Sequence, residues 1–188
     1  MTRHPLIRML SIPKRINRVF ELLVIKYAYR GRILLGSEVH ISSPVGIQIH
    51  HEGSLKVGSG SIIEKDGILN IHGTCHIGSG VYISARFLLG CSKIVTIEDN
   101  VAIGPNVVVV DTNKVYSNLT MSFSSQGGIS KEIKIGANSW IGANSVILPG
   151  TVLGKHVIVW AGSVVRGTFP NYVLIGGVPA KVIRSLEE

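Results

Sequence analysis

Residues 107–118 read VVVVDTNKVYSN, four valines that run into Asp111, Thr112, Asn113, Lys114 and Tyr116. The valines have the composition of a strand, and the residues after them have the composition of a site: a carboxylate, an amide, an ammonium and a phenol within six residues. Such groups bind, orient and move protons. The residue best suited to moving a proton near neutral pH is histidine, and this stretch holds none. A lysine near its reference pKa of about 10.4 is neutral in only roughly 0.04% of molecules at pH 7, and lowering that pKa by three units costs about 4 kcal/mol. A neighbouring carboxylate such as Asp111 acts in the opposite direction. Lys114 therefore reads as a poor base and a good partner for an anionic group or for developing negative charge. His50, His51, His72 and His76 lie upstream. Of these, His72 and His76 flank the hexad opened by Ile71 and read as outward surface or turn residues.

The element that must carry this stretch is announced by a period. From residue 135 the chain reads IGANSW IGANSV ILPGTV LGKHVI VWAGSV VRGTFP, placing Ile135, Ile141, Ile147, Leu153, Val159 and Val165 six apart. Six is a multiple of the strand period of two and not of the helical 3.6, so these side chains share one face of extended segments. Four residues after each leader stands a small or branched residue: Ser139, Ser145, Thr151, Val157 and Ser163. Gly136, Gly142 and Gly154 follow their leaders directly, where a tight bend would use the φ freedom of glycine. Upstream the same rhythm runs through Leu35, Ile41 and Ile47, through Val57, Ile63 and Leu69, through Ile71, Ile77, Ile83, Leu89 and Val95, and through Ile97, Ile103 and Val109. Steps of two, as from Leu69 to Ile71, keep a side chain on the same strand face. Short strands stacked coil on coil would bury these leaders in one column, as a solenoid does. After Val109 the rhythm stops until Ile133, and the polar, Gly- and Ser-rich excursion over 112–131 is of the kind a compact domain keeps for function.

At 188 residues with 45% apolar content and 22 glycines, the chain is expected to fold as one turn-rich domain with an appendage. The net charge of +8 is concentrated in residues 1–32, which hold eight lysines and arginines against Glu21. Without a basic face spread over the folded part or an aromatic-basic motif, nucleic acid is not an expected partner. Ile16, Val19, Phe20, Leu23 and Ile25 sit near helical spacing among these cations, so residues 1–32 read as a basic amphipathic helix interrupted by Pro13. It would cap the base of the solenoid or, alternatively, meet anionic lipid. FELLVIKYAY is too short and too charged for a signal peptide or a membrane span. Cys75 and Cys91 form no CxxC pair, which argues against a disulfide framework and a thiolate metal site and suits a reducing cytoplasm. Cys75 falls on an inward repeat position. No metal is expected, because no histidine set comes with the carboxylates that a zinc site would need.

The hexads over residues 35–185 resemble those of the bacterial hexapeptide-repeat acyltransferases. The resemblance implies an all-β fold, a left-handed parallel β-helix with triangular coils, carrying the N-terminal helical segment (1–32), the β-helix (33–170) with its ejected loop, and a C-terminal CoA-contacting segment (171–188). In that family a strand ends in Asp-His-Asn-His or a variant followed by an aromatic. Asp111, Asn113 and Tyr116 match, Thr112 stands for the first histidine, and Lys114 stands where the second, the general base, would be. The resemblance makes Asp111, Asn113 and Lys114 the catalytic candidates and gives Tyr116, Ser84 and Ser92 to the acceptor, although the two serines replace an asparagine and an aspartate. SWIGANSVILPGTVLG and AGSVVRGTFPNYVLIGGVPAKVIR resemble the half that holds coenzyme A. They implicate Trp140, Ala143, Ala161, Arg166, Lys181 and Arg184, where small residues leave room for the pantetheine arm and Lys or Arg suits phosphate. The expectation is a homotrimeric, cytoplasmic enzyme that uses acetyl-CoA to acylate a sugar hydroxyl in surface-polysaccharide biosynthesis, with a peripheral membrane contact through its N-terminal helix. The alternatives are a sugar N-acetyltransferase and a degenerate CoA-binding scaffold that has lost its base.

Overall fold

The computed structural model describes residue 27 and residues 29–187. The amphipathic helix expected over 1–32 lies almost wholly outside these residues. Within them the chain winds as a parallel β-solenoid of about seven turns whose strands form three long walls. The first wall runs through strands beginning at Ile33, Ser54, Thr74, Ile94, Ile133, Val152 and Thr168. The second runs from His40–Ile41 up to Val173–Gly177, and the third from Val45–Ile49 up to Val164–Val165.

The period explains each wall. Ile135, Ile141 and Ile147, one from each wall of a single coil, are all fully buried, as are Leu153, Val159 and Val165 in the next. Full burial of one such side chain is worth about 1.5–3 kcal/mol, and stacking supplies what a lone coil lacks. The two-residue steps keep their side inward, because Gly67–Ile71 buries both Leu69 and Ile71. The small or branched residues four after each leader are buried at the corners, where the hydroxyls of the serines and of Thr151 serve the backbone. Ser139 Oγ donates to the Gly154 carbonyl at 3.2 Å and accepts from the Val157 amide at 3.1 Å. Ser145 Oγ donates to the Trp160 carbonyl at 3.1 Å. A buried hydroxyl left unmatched would cost about 1–3 kcal/mol.

The glycines after the leaders act differently from the expectation. Positive φ falls two residues later, at Asn138, Asn144 and His156 with φ of 59°, 60° and 54°. Gly136, Gly142 and Gly154 are required by close approach instead: a Cβ on Gly142 would lie 2.5 Å from the Ala161 amide nitrogen, and one on Gly136 would strike the Gly154 carbonyl. Asparagine takes the left-handed turn because its short polar side chain tolerates it.

The period fails where the sequence places the failure. After Val108–Val110 the chain leaves the third wall as an antiparallel hairpin, Thr112–Lys114 against Gly128–Ser130, and rejoins the first wall at Ile133–Ile135. At the C-terminus Val173–Gly177 still continues the second wall, paired in parallel with Ile158–Val159, and Ala180–Ser185 then returns antiparallel along it.

Candidate functional site

Asp111 is fully buried at the corner where the third wall turns toward the first. Its Oδ1 accepts from the Ser92 amide and its Oδ2 from the Lys93 amide, both at 2.7 Å, and Thr112 Oγ1 donates to Oδ1 at 3.1 Å. Its carbonyl accepts from the Lys131 amide at 2.8 Å. The carboxylate is therefore committed to the corner of the coil below and to the root of the hairpin. Asp111, expected from the resemblance to be catalytic, has both carboxylate oxygens engaged by backbone amides in this structure. Thr112 Oγ1 and Ser130 Oγ lie 2.6 Å apart and close the hairpin base.

Beyond that anchor the hairpin overhangs a cleft of about 330 Å³, lined by Asn113, Lys114, Val115, Tyr116, Ser117, Ile129, Lys131, Pro149 and Arg166. Four sequence candidates meet here: Asn113, Lys114 and Tyr116 from the hairpin and Arg166 from the corner two coils above. Arg166, assigned by resemblance to the cofactor side, stands in this structure with the hairpin residues. Lys131 was missed. Its signal was its place two residues ahead of Ile133, where the period resumes and the chain must return to the wall. Among the described residues, no histidine lines this cleft. His50 and His72 stack on one another, ring centroids 3.6 Å apart, on lower coils, and His76 lies on the first wall. They are outward residues, as their positions in the period predict.

Most of the remaining candidates lie on the second wall or at the corner between the second and third walls. Ala143 and Ala161 stand in successive coils, with the Gly162 amide donating to the Ala143 carbonyl at 2.8 Å and the Asn144 amide to the Pro105 carbonyl at 3.0 Å. Pro105, Ala143 and Ala161 thus make a track poor in side chains along the solenoid axis. Trp140 projects from the second wall, 55% exposed. Lys181 and Arg184 lie exposed on the returning strand, paired with Gly176 and Leu174. Ser84 opens the same corner lower down. Ser92 instead sits at the cleft corner, its amide engaged by Asp111. Neither serine lines the cleft.

The cysteines are core. Burial pushes the Cys91 thiol up to about 12, with the Asp111 charge adding to it, and raises Cys75 well above its ordinary value. Neither is a nucleophile at neutral pH. On the first wall, Lys134 hydrogen-bonded to Glu98 at 2.8 Å holds that carboxyl below its usual range, and the Ala137 amide adds to this.

These coils and corners define a parallel β-helix of hexapeptide type, and known proteins share it. The family described as bacterial transferase hexapeptide (six repeats) matches residues 132–167. The galactoside O-acetyltransferase of Escherichia coli is 34% identical over 133 residues, covering 70% of this chain and 64% of that protein. The putative lipopolysaccharide biosynthesis O-acetyl transferase WbbJ of Escherichia coli is 49% identical over 55 residues, 29% of this chain and 28% of that protein. The solved structure of AntD, an N-acyltransferase from Bacillus cereus, in complex with dTDP and 3-hydroxybutyryl-CoA is 26% identical with a TM-score of 0.73, covering 89% of this chain and 87% of that one. The chain is thus similar to hexapeptide-repeat transferases in its repeat over residues 132–167 and in its fold. It spans less than two thirds of the length of these and other curated relatives that it matches.

Proposed function

We propose that this chain is an acyltransferase that uses acetyl-CoA to modify a sugar hydroxyl in surface-polysaccharide biosynthesis. The observation that carries the reading is the cleft under the hairpin, where Asn113, Lys114, Tyr116 and Arg166 converge on a fold whose similar proteins are named as acyltransferases. In the reaction the acceptor oxygen attacks the thioester carbonyl carbon. The new C–O bond forms as the C–S bond breaks, and CoA leaves as the thiol with the acceptor's proton. The Pro105–Ala143–Ala161 track has the flat, uncluttered shape that a pantetheine arm needs, and Lys181 and Arg184 supply cations for its phosphates. Lys114 and the amide of Asn113 can steady negative charge as the carbonyl oxygen develops it.

Cleft and track lie at different corners with the whole third wall between them, so one copy does not bring them together. A threefold assembly does, if the corner between the first and second walls faces the axis. One copy's cleft then adjoins its neighbour's track, and the first wall packs against the neighbour's second wall. Exposed Ile62, Tyr82 and Trp140 on that second wall, and the hairpin tip residues Leu119 and Phe123, supply apolar surface for such contacts. The use of acetyl-CoA suits a cytoplasmic setting, and the basic 1–32 segment would be the part to meet anionic lipid.

The absence of histidine among the described residues that line the cleft favours a second reading, transfer to a sugar amine, because an amine already neutral at working pH needs little base. Thiol release from acetyl-CoA with a panel of sugars, amino sugars and nucleotide sugars tests both. The expected result is turnover with at least one acceptor, reduced by Lys114→Ala. CoA should also raise the melting temperature, and no shift at millimolar CoA overturns any CoA-dependent function. If only Lys114→His gains turnover, the chain is a degenerate binding protein.

A further inference from the structure

The cleft holds three cations, Lys114, Lys131 and Arg166, and among the described residues no carboxylate lines it. The two carboxylates nearest in sequence are engaged elsewhere. Asp111 is turned inward on the amides of Ser92 and Lys93, and Glu132 pairs with Lys93 at 3.3 Å. Among the described residues, none of the three cations takes part in an ion pair, whereas Lys93 and Lys134 do. Their backbone positions are held by structure: Lys131 is tied through its amide to the Asp111 carbonyl and through its own carbonyl to the Gly150 amide at 3.3 Å, and Lys114 lies in register with Gly128. Three uncompensated cations held around one cleft repel one another, and an anion relieves that repulsion. Tyr116, Ile129 and Pro149 add the flat apolar surfaces against which a sugar ring packs.

We propose that the acceptor is an acidic sugar, bearing a carboxylate or phosphate that Lys114, Lys131 and Arg166 hold in this cleft. The inference rests on the acyltransferase reading only in calling this ligand the acceptor. The alternative owner of the anion is coenzyme A itself, but its phosphates have cations of their own in Lys181 and Arg184 on the returning strand, and neither of these lines the cleft. A lysine at position 114 then makes chemical sense. It holds the anion that orients the ring, and no base is asked of it.

The test is equilibrium binding by calorimetry on the full chain, with glucuronic acid, glucose 1-phosphate, glucose and CoA as probes, independent of turnover. Either acidic probe should bind at least about tenfold more tightly than glucose, with the preference shrinking as salt rises. Lys131→Gln and Lys114→Gln should each remove most of that preference and leave CoA affinity unchanged, while Lys65→Gln, remote from the cleft, should change neither. Equal affinity for glucose and both acidic probes overturns the proposal. So does a loss of CoA affinity in the Lys131→Gln variant with no loss for the acidic sugars, which would make this the seat of the CoA phosphates. Tight acidic-sugar binding without thiol release would leave the cleft assignment standing and remove the transferase reading.

Discussion

Asp111 and Lys114 stand three residues apart and have opposite fates. The aspartate is buried, and three donors around its two oxygens lock the corner below to the root of the hairpin. Asn in its place keeps one acceptor oxygen but turns an NH₂ toward an amide that also donates. Asp111→Asn is therefore expected to lower unfolding free energy by about 3 kcal/mol, read as a shift in the denaturant midpoint at unchanged slope. The lysine is exposed and free to meet a ligand, so Lys114 substitutions should leave that midpoint in place. Cys91 adds a pH signature. Its folded thiol is raised to about 12, so the stability linked to it is fully present below the unfolded thiol's pKa and is lost as pH rises toward the folded value. Between about pH 8 and about pH 10.5 the parent should lose more stability than Cys91→Ala, measured by denaturation at each pH.

At the scale of the element, the repeating unit is a strand, a corner glycine that admits the coil above, and two residues on a left-handed residue, most often asparagine or glycine. Asn106 Nδ2 donates to Asn144 Oδ1 at 3.0 Å, so the turn residues of neighbouring coils also bond along the axis. Gly142→Ala should cost about 1–3 kcal/mol, because the methyl meets backbone that cannot move aside without shifting the Ala161 corner. The melting temperature reports this, and since Ala161 belongs to the proposed track, CoA affinity should fall with it. The hairpin is an element of another kind, held by its own side chains. Gln126 accepts from the Asn118 amide at 3.0 Å and donates to the Asn118 carbonyl at 2.9 Å, which orders the tip while Leu119 stays 92% exposed.

At the scale of the molecule, the separation of cleft and track makes assembly the central requirement. Sedimentation equilibrium should give a mass near three times the 20.2 kDa of one chain. A monomeric mass under conditions that support turnover would overturn the intersubunit site. Replacing the exposed Trp140 by Glu should shift the equilibrium toward smaller species, since a charge on that wall would have to be buried against the neighbour.

What the amino-acid order determined by itself was everything that depends on a period. The leaders, the buried residues four positions on, the two-residue steps and the interval over 112–131 are local statements about which side of a strand a residue faces, and alternation settles them. The resemblance of the motif drew Asn113, Lys114 and Tyr116 to one address for a related reason: they are neighbours in one short stretch of chain. What required the tertiary structure was anything set by the distance between coils. The corner glycines read as flexible turns until the coil above was seen to occupy the space a Cβ would need. Asp111 read as chemistry because the Ser92 and Lys93 amides that claim its oxygens lie nearly twenty residues away. Lys131 and Arg166 join Lys114 only because the solenoid brings residues 114, 131 and 166 to one corner, a closeness created by stacking and carried by no local pattern.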